Sequence, residues 1–412
     1  MTAIRAARLL DVRAGTVIRN PVVLVVGDQI TTAGADVAVP AGARVIDLGA
    51  AMLLPGLVDA HTHLLQNYDG AYGGDDPNMV LTVATMSPAK RALLGVKMGQ
   101  EDLEAGFTTV RDLGNSGWGG DVALRDAIRA GWVTGPRIVA STRALAAAGG
   151  QFGTVQPAVQ QLIEQEYAVV SGVEDARRAV RQAIYDGADV IKVIVNTGPR
   201  VLSLEEMKVI VDEAHRVGRK VAAHAIGDVA TRAAAQAGVN SIEHGYTIPD
   251  DVLKLMAEKR IFLVPTDYPA EFYTNLSTGG TAEQKARQLA AARAFAKSSA
   301  ERLMRAVRMG VPIAAGSDEY YDIPGMSRGQ ASHLMFRAYS DAGMSPLEII
   351  RAATINGAEL LGLERRIGTV EANKLADLIA IDGDPLTNVT DLAKVRFVMK
   401  GGAVVRNGQV KE

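Results

Sequence analysis

Short apolar segments alternate with amphipathic helical segments through the central part of the chain. Predicted helices include Asp121–Ala130, Val173–Asp186, Leu204–Val217 and Ala282–Met309. The predicted strands are Leu57–Ala60, Thr108–Val110, Arg137–Ser141, Val190–Val195, Val221–Ala223, Ser241–Glu243, Ile261–Val264 and Pro312–Ala315. Eight strand–helix units over roughly 300 residues predict an α/β fold, and they favour a closed parallel (β/α)8 TIM barrel over an open sheet. An open sheet would also lead us to expect a Gly-rich phosphate turn after the first strand, where this chain has Asp-Ala-His-Thr-His.

Both ends of the chain carry further short β-type segments, separated by Gly and Pro turns. These segments are Ile4–Leu10, Val22–Val26, Arg44–Leu48, Leu378–Ile381, Val395–Lys400 and Ala403–Arg406. Each terminal set is too small to bury a core of its own. We therefore expect one small β-sandwich domain built from residues 1–51 and 361–412, with the barrel over residues 52–360.

Composition excludes several classes of protein. The 44 Lys and Arg residues balance 46 Asp and Glu residues, so no basic surplus favours a nucleic-acid partner. The chain has 0 Cys, which excludes thiolate nucleophiles and cysteine metal sites. No segment approaches the ~18 apolar residues of a membrane helix, and Arg5, Arg8 and Asp11 interrupt any signal-peptide pattern. We expect a cytoplasmic protein without a membrane partner; a secreted or periplasmic location stays open if a leader was removed.

Metal-binding side chains recur at the ends of the predicted strands. His61 and His63 end the first strand, and residues two apart in a strand share one face. His224 ends the fifth strand, His244 the sixth and Asp318 the eighth. Because catalytic groups of such barrels gather at the C-terminal ends of the strands, these residues predict a metal site there.

Lys192 is a further candidate ligand, in the apolar stretch Ala-Asp-Val-Ile-Lys-Val-Ile-Val. A free ammonium is costly to bury in such a strand. A neutral lysine can react with carbon dioxide to give a carbamate, an anionic oxygen ligand that could bridge two metal ions. The alternative is a snorkelling or ion-paired lysine.

The remaining two histidines are expected to have no part in the metal site. His215 lies in a predicted helix beside Arg216 and is expected on the surface. His333 is also expected on a helix surface, with a substrate contact as the alternative.

Several motifs resemble the amidohydrolase superfamily, of the binuclear-metal type with a carbamylated lysine. The most specific is Pro-Gly-Leu-Val-Asp-Ala-His-Thr-His, and the ligand candidates of the later strands follow in matching order. Gly-Phe-Thr-Thr-Val-Arg-Asp-Leu-Gly and Ala-Ala-Thr-Ile-Asn-Gly-Ala-Glu-Leu-Leu-Gly are similar to the imidazolonepropionase-like branch. That branch includes Xaa-Pro dipeptidases, Arg/Lys carboxypeptidases and ochratoxin-hydrolysing amidases. The chain departs from its pattern at Asn-Thr-Gly-Pro-Arg after the fourth strand and at Glu-Tyr-Tyr-Asp after the eighth.

The resemblance implies a role for each candidate ligand. His61, His63 and Asp318 would hold one ion and His224 with His244 the other, with carbamylated Lys192 between them. The donor types suit Zn²⁺, with Mn²⁺ or Co²⁺ as alternatives. A water bridging two such ions becomes a hydroxide near neutral pH, and Asp318 would pass its proton to the leaving amine. The branch also implies a homo-oligomer, with an octamer among the options.

The resemblance further implies a metal-dependent amidohydrolase with a small-molecule substrate. The expected substrate is a dipeptide or an N-acyl amino acid, including ochratoxin-like amides, cleaved at a peptide-type bond by the bridging hydroxide. Arg200, Tyr246, Tyr320 and Tyr321 follow strands at the same rim, and we predict that they hold the substrate carboxylate. Alternatives are ester, lactone or phosphotriester hydrolysis on the same metal site, and a cyclic-amide hydrolase or deaminase. Deaminases of this superfamily usually use one metal ion and lack the strand-four lysine, so Lys192 disfavours this last alternative. A non-catalytic scaffold is disfavoured because all six ligand candidates are present.

Overall fold

The computed structural model describes residues 1–72, 74–276 and 281–408. The strands before residue 56 are β1 (Thr2–Arg5), β2 (Arg8–Asp11), β3 (Thr16–Arg19), β4 (Val22–Val26), β5 (Gln29–Gly34), β6 (Arg44–Asp47) and β7 (Met52–Pro55). β4 and β5 form an antiparallel hairpin, and Gly27 at its turn has a φ of 60°, which glycine adopts without steric cost. The single strand predicted over Ile4–Leu10 is divided between β1 and β2, which belong to different sheets.

The central strands pair in parallel, apart from one short antiparallel ribbon. They are β8 (Leu57–Thr62), β9 (Phe107–Asp112), β10 (Arg137–Ala140), β11 (Ala144–Ala146), β12 (Tyr167–Val169), β13 (Val190–Ile194), β14 (Asn196–Thr197), β15 (Arg200–Val201), β16 (Lys220–Ala225), β17 (Ser241–His244) and β18 (Phe262–Val264). One sheet has the order β10-β9-β8 and another the order β12-β11-β13-β16-β17-β18. β14 and β15 form the antiparallel ribbon.

The predicted eighth strand, Pro312–Ala315, is not a regular strand. Ile313 forms only an isolated parallel bridge with Leu263. Backbone hydrogen bonds nevertheless link this segment to both of its neighbours. Leu263 N donates to Pro312 O at 2.9 Å, and Ala60 N donates to Ala315 O at 2.8 Å. The arrangement is of the TIM-barrel type, but the described strands do not form one continuous closed sheet.

The predicted third strand is also interrupted. β10 pairs with β9, whereas β11, a few residues later, pairs with β13. Thr142 lies between them with a φ of 63°, a left-handed backbone conformation that ends regular pairing. A bend at this residue therefore separates the two central sheets.

The last strands return to the N-terminal region of the chain. They are β19 (Leu378–Ile381), β20 (Val395–Lys400) and β21 (Ala403–Asn407). Together with N-terminal strands they form a sheet of order β21-β20-β19-β7-β2-β3, and a second sheet has the order β5-β4-β1-β6. Ile4, Val23, Leu53 and Phe397 belong to one buried apolar cluster shared by these sheets. We propose that they form the small β-sandwich domain. The predicted boundary at residue 52 falls at the start of β7, whose pairing with β19 and β2 keeps it in the terminal sheet.

The helices cover the central strands. They are α1 (Asp75–Thr85), α2 (Pro88–Glu104), α3 (Gly120–Arg129), α4 (Gln160–Glu166), α5 (Val173–Tyr185), α6 (Leu204–His215), α7 (Gly227–Ala237), α8 (Asp250–Lys259), α9 (Ala270–Asn275), α10 (Ala282–Arg308), α11 (Arg328–Ser332), α12 (Leu334–Ala342), α13 (Pro346–Ala352) and α14 (Ile355–Leu361). Capping boxes at Ser203 and Thr281 fix the starts of α6 and α10. The four helices predicted from the sequence are present as α3, α5, α6 and α10. Within the described residues, no helix combines the length and apolar character that crossing a membrane requires.

His333 was predicted on a helix surface, and the structure shows that it is buried. It lies between α11 and α12, where its Nε2 atom is 2.8 Å from the carbonyl oxygen of Ala105. Its ring centroid is 4.9 Å from that of Phe107 at the start of β9. Burial lowers the pKa of His333 to about 4, so the side chain is neutral in the folded protein at pH 7.

His333 should make the protein less stable in mild acid. The unfolded chain protonates this residue below pH ~6.5 and the folded chain only near its lowered pKa, so stability is lost as pH falls between these values. From pH 7 to pH 5 the loss should be about 2 kcal/mol. His333→Gln keeps an N–H donor for Ala105 but does not titrate. Denaturant unfolding of metal-free protein at both pH values should show a smaller loss in the variant; equal losses would contradict this assignment.

Candidate metal centre and active-site cavity

The six predicted ligands line a single cavity at the C-terminal ends of the central strands. Its volume is about 600 Å³. Four of the ligands lie in strands β8, β13, β16 and β17, and these are His61, Lys192, His224 and His244 in that order. His63 directly follows β8, and Asp318 follows the segment 312–315. Residues far apart in sequence thus share one floor, because the C-terminal ends of strands from both central sheets lie around the same cavity.

His61, His63 and Asp318 form the tightest group. Each offers a ligand atom, and these atoms all lie within 4.8 Å of one another. Asp318 Oδ1 is 3.3 Å from His61 Nε2 and 3.0 Å from His63 Nε2. The Nδ1 atom of His63 is 2.9 Å from the carbonyl oxygen of Gly114, so Nε2 is the nitrogen left for a ligand bond. Two imidazoles and a carboxylate in this arrangement fit a divalent metal ion.

Lys192, His224 and His244 stand against this first group. Lys192 Nζ is 3.4 Å from His61 Nε2, and His244 Nδ1 is 3.7 Å from Asp318 Oδ2. The ring centroids of His224 and His244 are 4.6 Å apart. The structure therefore brings all six predicted ligands together.

Burial disfavours the charged forms of three of these histidines and of Lys192. It lowers the pKa of His224 to about 3 and the pKa values of His61 and His244 well below the usual range. It also lowers the pKa of Lys192 to about 8, which increases the neutral fraction of this amine near pH 7. Neutral imidazole binds metal ions, and a neutral amine reacts with carbon dioxide.

Three non-glycine residues at this rim have left-handed backbones. The φ angles are 65° at His244, 56° at Thr266 and 54° at Asp318. These residues lie just where β17, β18 and the 312–315 segment end. Such conformations cost about 1–3 kcal/mol each and cluster at functional sites, where the surrounding contacts hold them.

Asp59 supports the site, although sequence reasoning did not single it out. Its Oδ1 atom accepts the backbone N–H groups of His61 and Ser317, both at 3.0 Å. Its Oδ2 atom accepts the Ser317 hydroxyl at 2.5 Å. Burial raises the pKa of Asp59 to about 6. The carboxyl group thus ties β8 to the segment that carries Asp318. The available signal was a charged residue inside an apolar strand, two positions before His61.

Arg302 in α10 supports His244 from the other side, and it was also missed. It donates to the carbonyl oxygen of His244, and its Nη2 atom is 2.6 Å from Asp267 Oδ1. The Thr266 hydroxyl donates to Pro265 O at 2.7 Å, and its oxygen lies 2.8 Å from His244 Nδ1. These contacts fix the rim after β17 and β18.

Arg200, predicted to hold a substrate carboxylate beside the three tyrosines, lies away from the cavity lining. Arg200 lies in the β14–β15 ribbon, which directs its guanidinium to the neighbouring loop rather than into the cavity. Nη1 donates to Ala148 O and Nη2 to Phe152 O, both at 2.8 Å. The residues described as lining the cavity do not include Arg200.

Tyr246, Tyr320 and Tyr321 do line the cavity. The hydroxyl of Tyr321 donates to Asp75 at 2.6 Å and that of Tyr320 to the same carboxylate at 3.4 Å. The Tyr246 hydroxyl is 3.4 Å from the Thr266 hydroxyl. Two of the three predicted donors therefore face an acidic group of the protein itself.

The cavity has an aromatic wall and an acidic side. The wall consists of Tyr246, Tyr268, Phe272, Tyr273 and Phe295. Tyr268 and Phe272 stack with centroids 3.8 Å apart. Asp75 and Asp76 from α1 lie on the acidic side, and among the described lining residues Lys192 is the one lysine or arginine.

Comparisons with known proteins identify a matching family and similar chains. A sequence profile of the Amidohydrolase family matches residues 52–405. An ochratoxinase of Aspergillus niger is 32% identical over 384 residues, covering 86% of this chain and 76% of that protein. An imidazolonepropionase of Symbiobacterium thermophilum is 26% identical over 397 residues, covering 89% of this chain and 84% of that protein. A crystal structure of a Xaa-Pro dipeptidase with bound methionine in the active site is 28% identical, with a TM-score of 0.83, covering 98% of this chain and 99% of that one.

Proposed function

The chain belongs to the Amidohydrolase family, and from that membership we propose a metal-dependent hydrolase that cleaves a peptide-type amide bond. The proposed substrates are dipeptides or N-acyl amino acids, ochratoxin-like amides included. The observation that carries the proposal is the convergence of four histidines, Lys192 and Asp318 on the floor of one cavity. The similarity to an ochratoxinase and to a Xaa-Pro dipeptidase supports the amide bond as the target.

The proposed ligand sets follow the two groups of side chains. His61, His63 and Asp318 would hold one ion, most simply Zn²⁺, because their donor atoms lie within 4.8 Å of one another. His224 and His244, with centroids 4.6 Å apart, would hold a second. Lys192 would join the two as a carbamate: its neutral amine attacks carbon dioxide, a C–N bond forms and one proton is released. The pKa of Lys192, lowered by burial to about 8, supports this step.

When bound, the two ions would supply an activated water and polarise the substrate carbonyl. The remaining chemistry belongs to the chain. Asp318 keeps a side-chain exposure of 19% towards the cavity, so its carboxylate is accessible there. It would take a proton from the attacking water and deliver it to the amine nitrogen as the C–N bond breaks. The contacts of Asp59 with Ser317 would hold Asp318 in position for both transfers.

The cavity walls support a choice among amide substrates. The aromatic wall suits an apolar or aromatic group, because stacking and apolar burial both favour such a group there. The acidic side suits a protonated amino group. Asp75 accepts two tyrosine hydroxyls, whereas the carboxylate of Asp76 has no hydrogen-bond partner among the described residues. We therefore propose that a dipeptide with a free amino group is preferred over its N-acylated counterpart.

Metal content tests the proposed centre. Elemental analysis of protein purified without chelator should find close to two divalent ions per chain, because the proposed ligands form two groups that would each hold one ion. Lys192→Ala should lose at least one ion. Lys220→Ala is a matched control, since this lysine donates to Glu359 O away from the cavity and should not affect metal content. If Lys192→Ala keeps both ions and full activity, the carbamate assignment is wrong.

Arg200 should not recognise the substrate carboxylate. The loss of a direct charge-assisted contact would cost about 1.5–3 kcal/mol, a ~10- to 150-fold fall in kcat/KM. We expect Arg200→Ala to change the ratio of kcat/KM for a free acid to that for its methyl ester by less than about twofold, because the guanidinium binds backbone carbonyls. A selective fall of tenfold or more for the acid would restore Arg200 to the substrate site.

Asp76 should contribute to amine preference. An exposed charge contact is worth about 0.2–1 kcal/mol, so a dipeptide should exceed its N-acetyl derivative in kcat/KM by up to about fivefold. Asp76→Asn should reduce this preference, and Asp341→Asn, an exposed carboxylate on α12, should leave it unchanged. Faster turnover of the acetylated substrate by the unmodified protein would contradict the preference without affecting the amide-hydrolase proposal.

A further inference from the structure

Glu243 is a buried carboxylate with contacts on both sides. It precedes His244 in β17, and its Oε2 atom is 2.9 Å from His61 Nδ1. Its Oε1 atom is 2.9 Å from Arg111 Nη2. The side chains of Glu243 and Arg111 are 0% and 1% exposed. A chain Arg111–Glu243–His61 therefore runs through the interior to the metal centre.

Arg111 holds the carboxylate in place from β9. Its Nε atom donates to the carbonyl oxygen of Ala60 in β8, and its Nη1 atom donates to the Ser241 hydroxyl at 3.1 Å. That hydroxyl in turn donates to Glu243 Oε1. Three strands, β8, β9 and β17, thus fix the position of one carboxylate oxygen, while the other oxygen is directed at His61.

Two other histidines of the site, His63 and His244, have different acceptors. Nδ1 of His63 faces the Gly114 carbonyl at 2.9 Å, and Nδ1 of His244 faces the Thr266 hydroxyl at 2.8 Å. Both acceptors are uncharged. Among the hydrogen bonds of the described residues, an Nδ1 contact to a carboxylate is found at His61. An anionic acceptor raises the ligand basicity of an imidazole more than a neutral one does.

We infer that Glu243, oriented by Arg111, is a positioning residue for His61; the inference rests on the proposed metal centre. Glu243 accepts the Nδ1 proton of His61 and so fixes both the tautomer and the ring orientation. The Nε2 lone pair then points towards Asp318 and Lys192, which lie 3.3 and 3.4 Å away. Arg111 balances the charge of the buried Glu243 carboxylate at 2.9 Å.

Loss of an ion pair that has only a structural role would have a different effect from loss of a positioning carboxylate. Removing one partner of a buried pair destabilises the fold wherever the pair lies. A positioning carboxylate also changes the affinity for the ion held by His61, because the loss of such an outer contact typically weakens metal binding by about 10- to 100-fold. Glu213 offers the comparison: it is a nearly buried carboxylate paired with Arg177 and Arg181, outside the cavity.

The first experiment measures Zn²⁺ affinity by chelator competition in the unmodified protein, Glu243→Gln and Glu213→Gln. We expect Glu243→Gln to bind one ion about 10- to 100-fold more weakly, and Glu213→Gln to match the unmodified protein. Equal affinity in Glu243→Gln and the unmodified protein would overturn the inference. A failure of the unmodified protein to bind any ion would instead overturn the proposed function.

The second experiment needs no substitution at Glu243 and stays decisive if that variant does not fold. Imidazole ¹⁵N NMR of the metal-free protein near pH 7 reports which ring nitrogen carries the proton, and His61→Asn identifies the His61 signals by their loss. The inference requires a protonated Nδ1 and an unprotonated Nε2 at His61. A proton on Nε2 would overturn the inference, even if the elemental analysis finds two ions in the untreated protein.

Discussion

Withdrawing the candidate metal ligands from water is the constraint on which the site depends. Histidines, a lysine and an aspartate are placed at the ends of otherwise apolar strands, where an unpaired polar group costs about 1–3 kcal/mol. The structure meets this cost with fixed partners. The Gly114 carbonyl contacts the ring of His63, the Thr266 hydroxyl contacts that of His244, and the Glu243 carboxylate contacts that of His61. Each of these partners contacts the Nδ1 atom of its histidine. For His61 and His63, Nε2 is therefore the nitrogen that is left to face the cavity.

The same contacts explain why the backbone at the rim is strained. His244, Thr266 and Asp318 all have left-handed φ angles, which non-glycine residues rarely adopt. Asp59 holds the segment before Asp318, and Arg302 holds the carbonyl of His244. Buried hydrogen bonds thus stabilise conformations that the local sequence does not favour, and these conformations direct the ligands into the cavity.

The sequence was sufficient for the features that repeat or that carry a local pattern. Helices α3, α5, α6 and α10 follow from amphipathic periodicity and capping residues, and family membership follows from motifs such as Pro-Gly-Leu-Val-Asp-Ala-His-Thr-His. The six predicted ligands meet because strand ends share one rim. Sequence alone was insufficient where tertiary contacts determine the local geometry, the burial or the direction of a side chain. The segment at Ile313 is held by its neighbours without regular strand geometry, His333 is buried against Phe107, and the β14–β15 ribbon turns Arg200 away from the cavity. Asp59 and Glu243 were missed because their partners, Ser317 and His61, are 258 and 182 residues distant.

In the proposed metal centre, two ions would share one floor, joined by a modified Lys192. X-ray diffraction from crystals grown with zinc and bicarbonate, recorded on both sides of the zinc absorption edge, tests it most directly. The account predicts one anomalous peak beside His61, His63 and Asp318 and another beside His224 and His244. It also predicts electron density for a carboxyl group beyond Nζ of Lys192, between the peaks. A single peak, or a lysine side chain that ends at Nζ, would contradict the account.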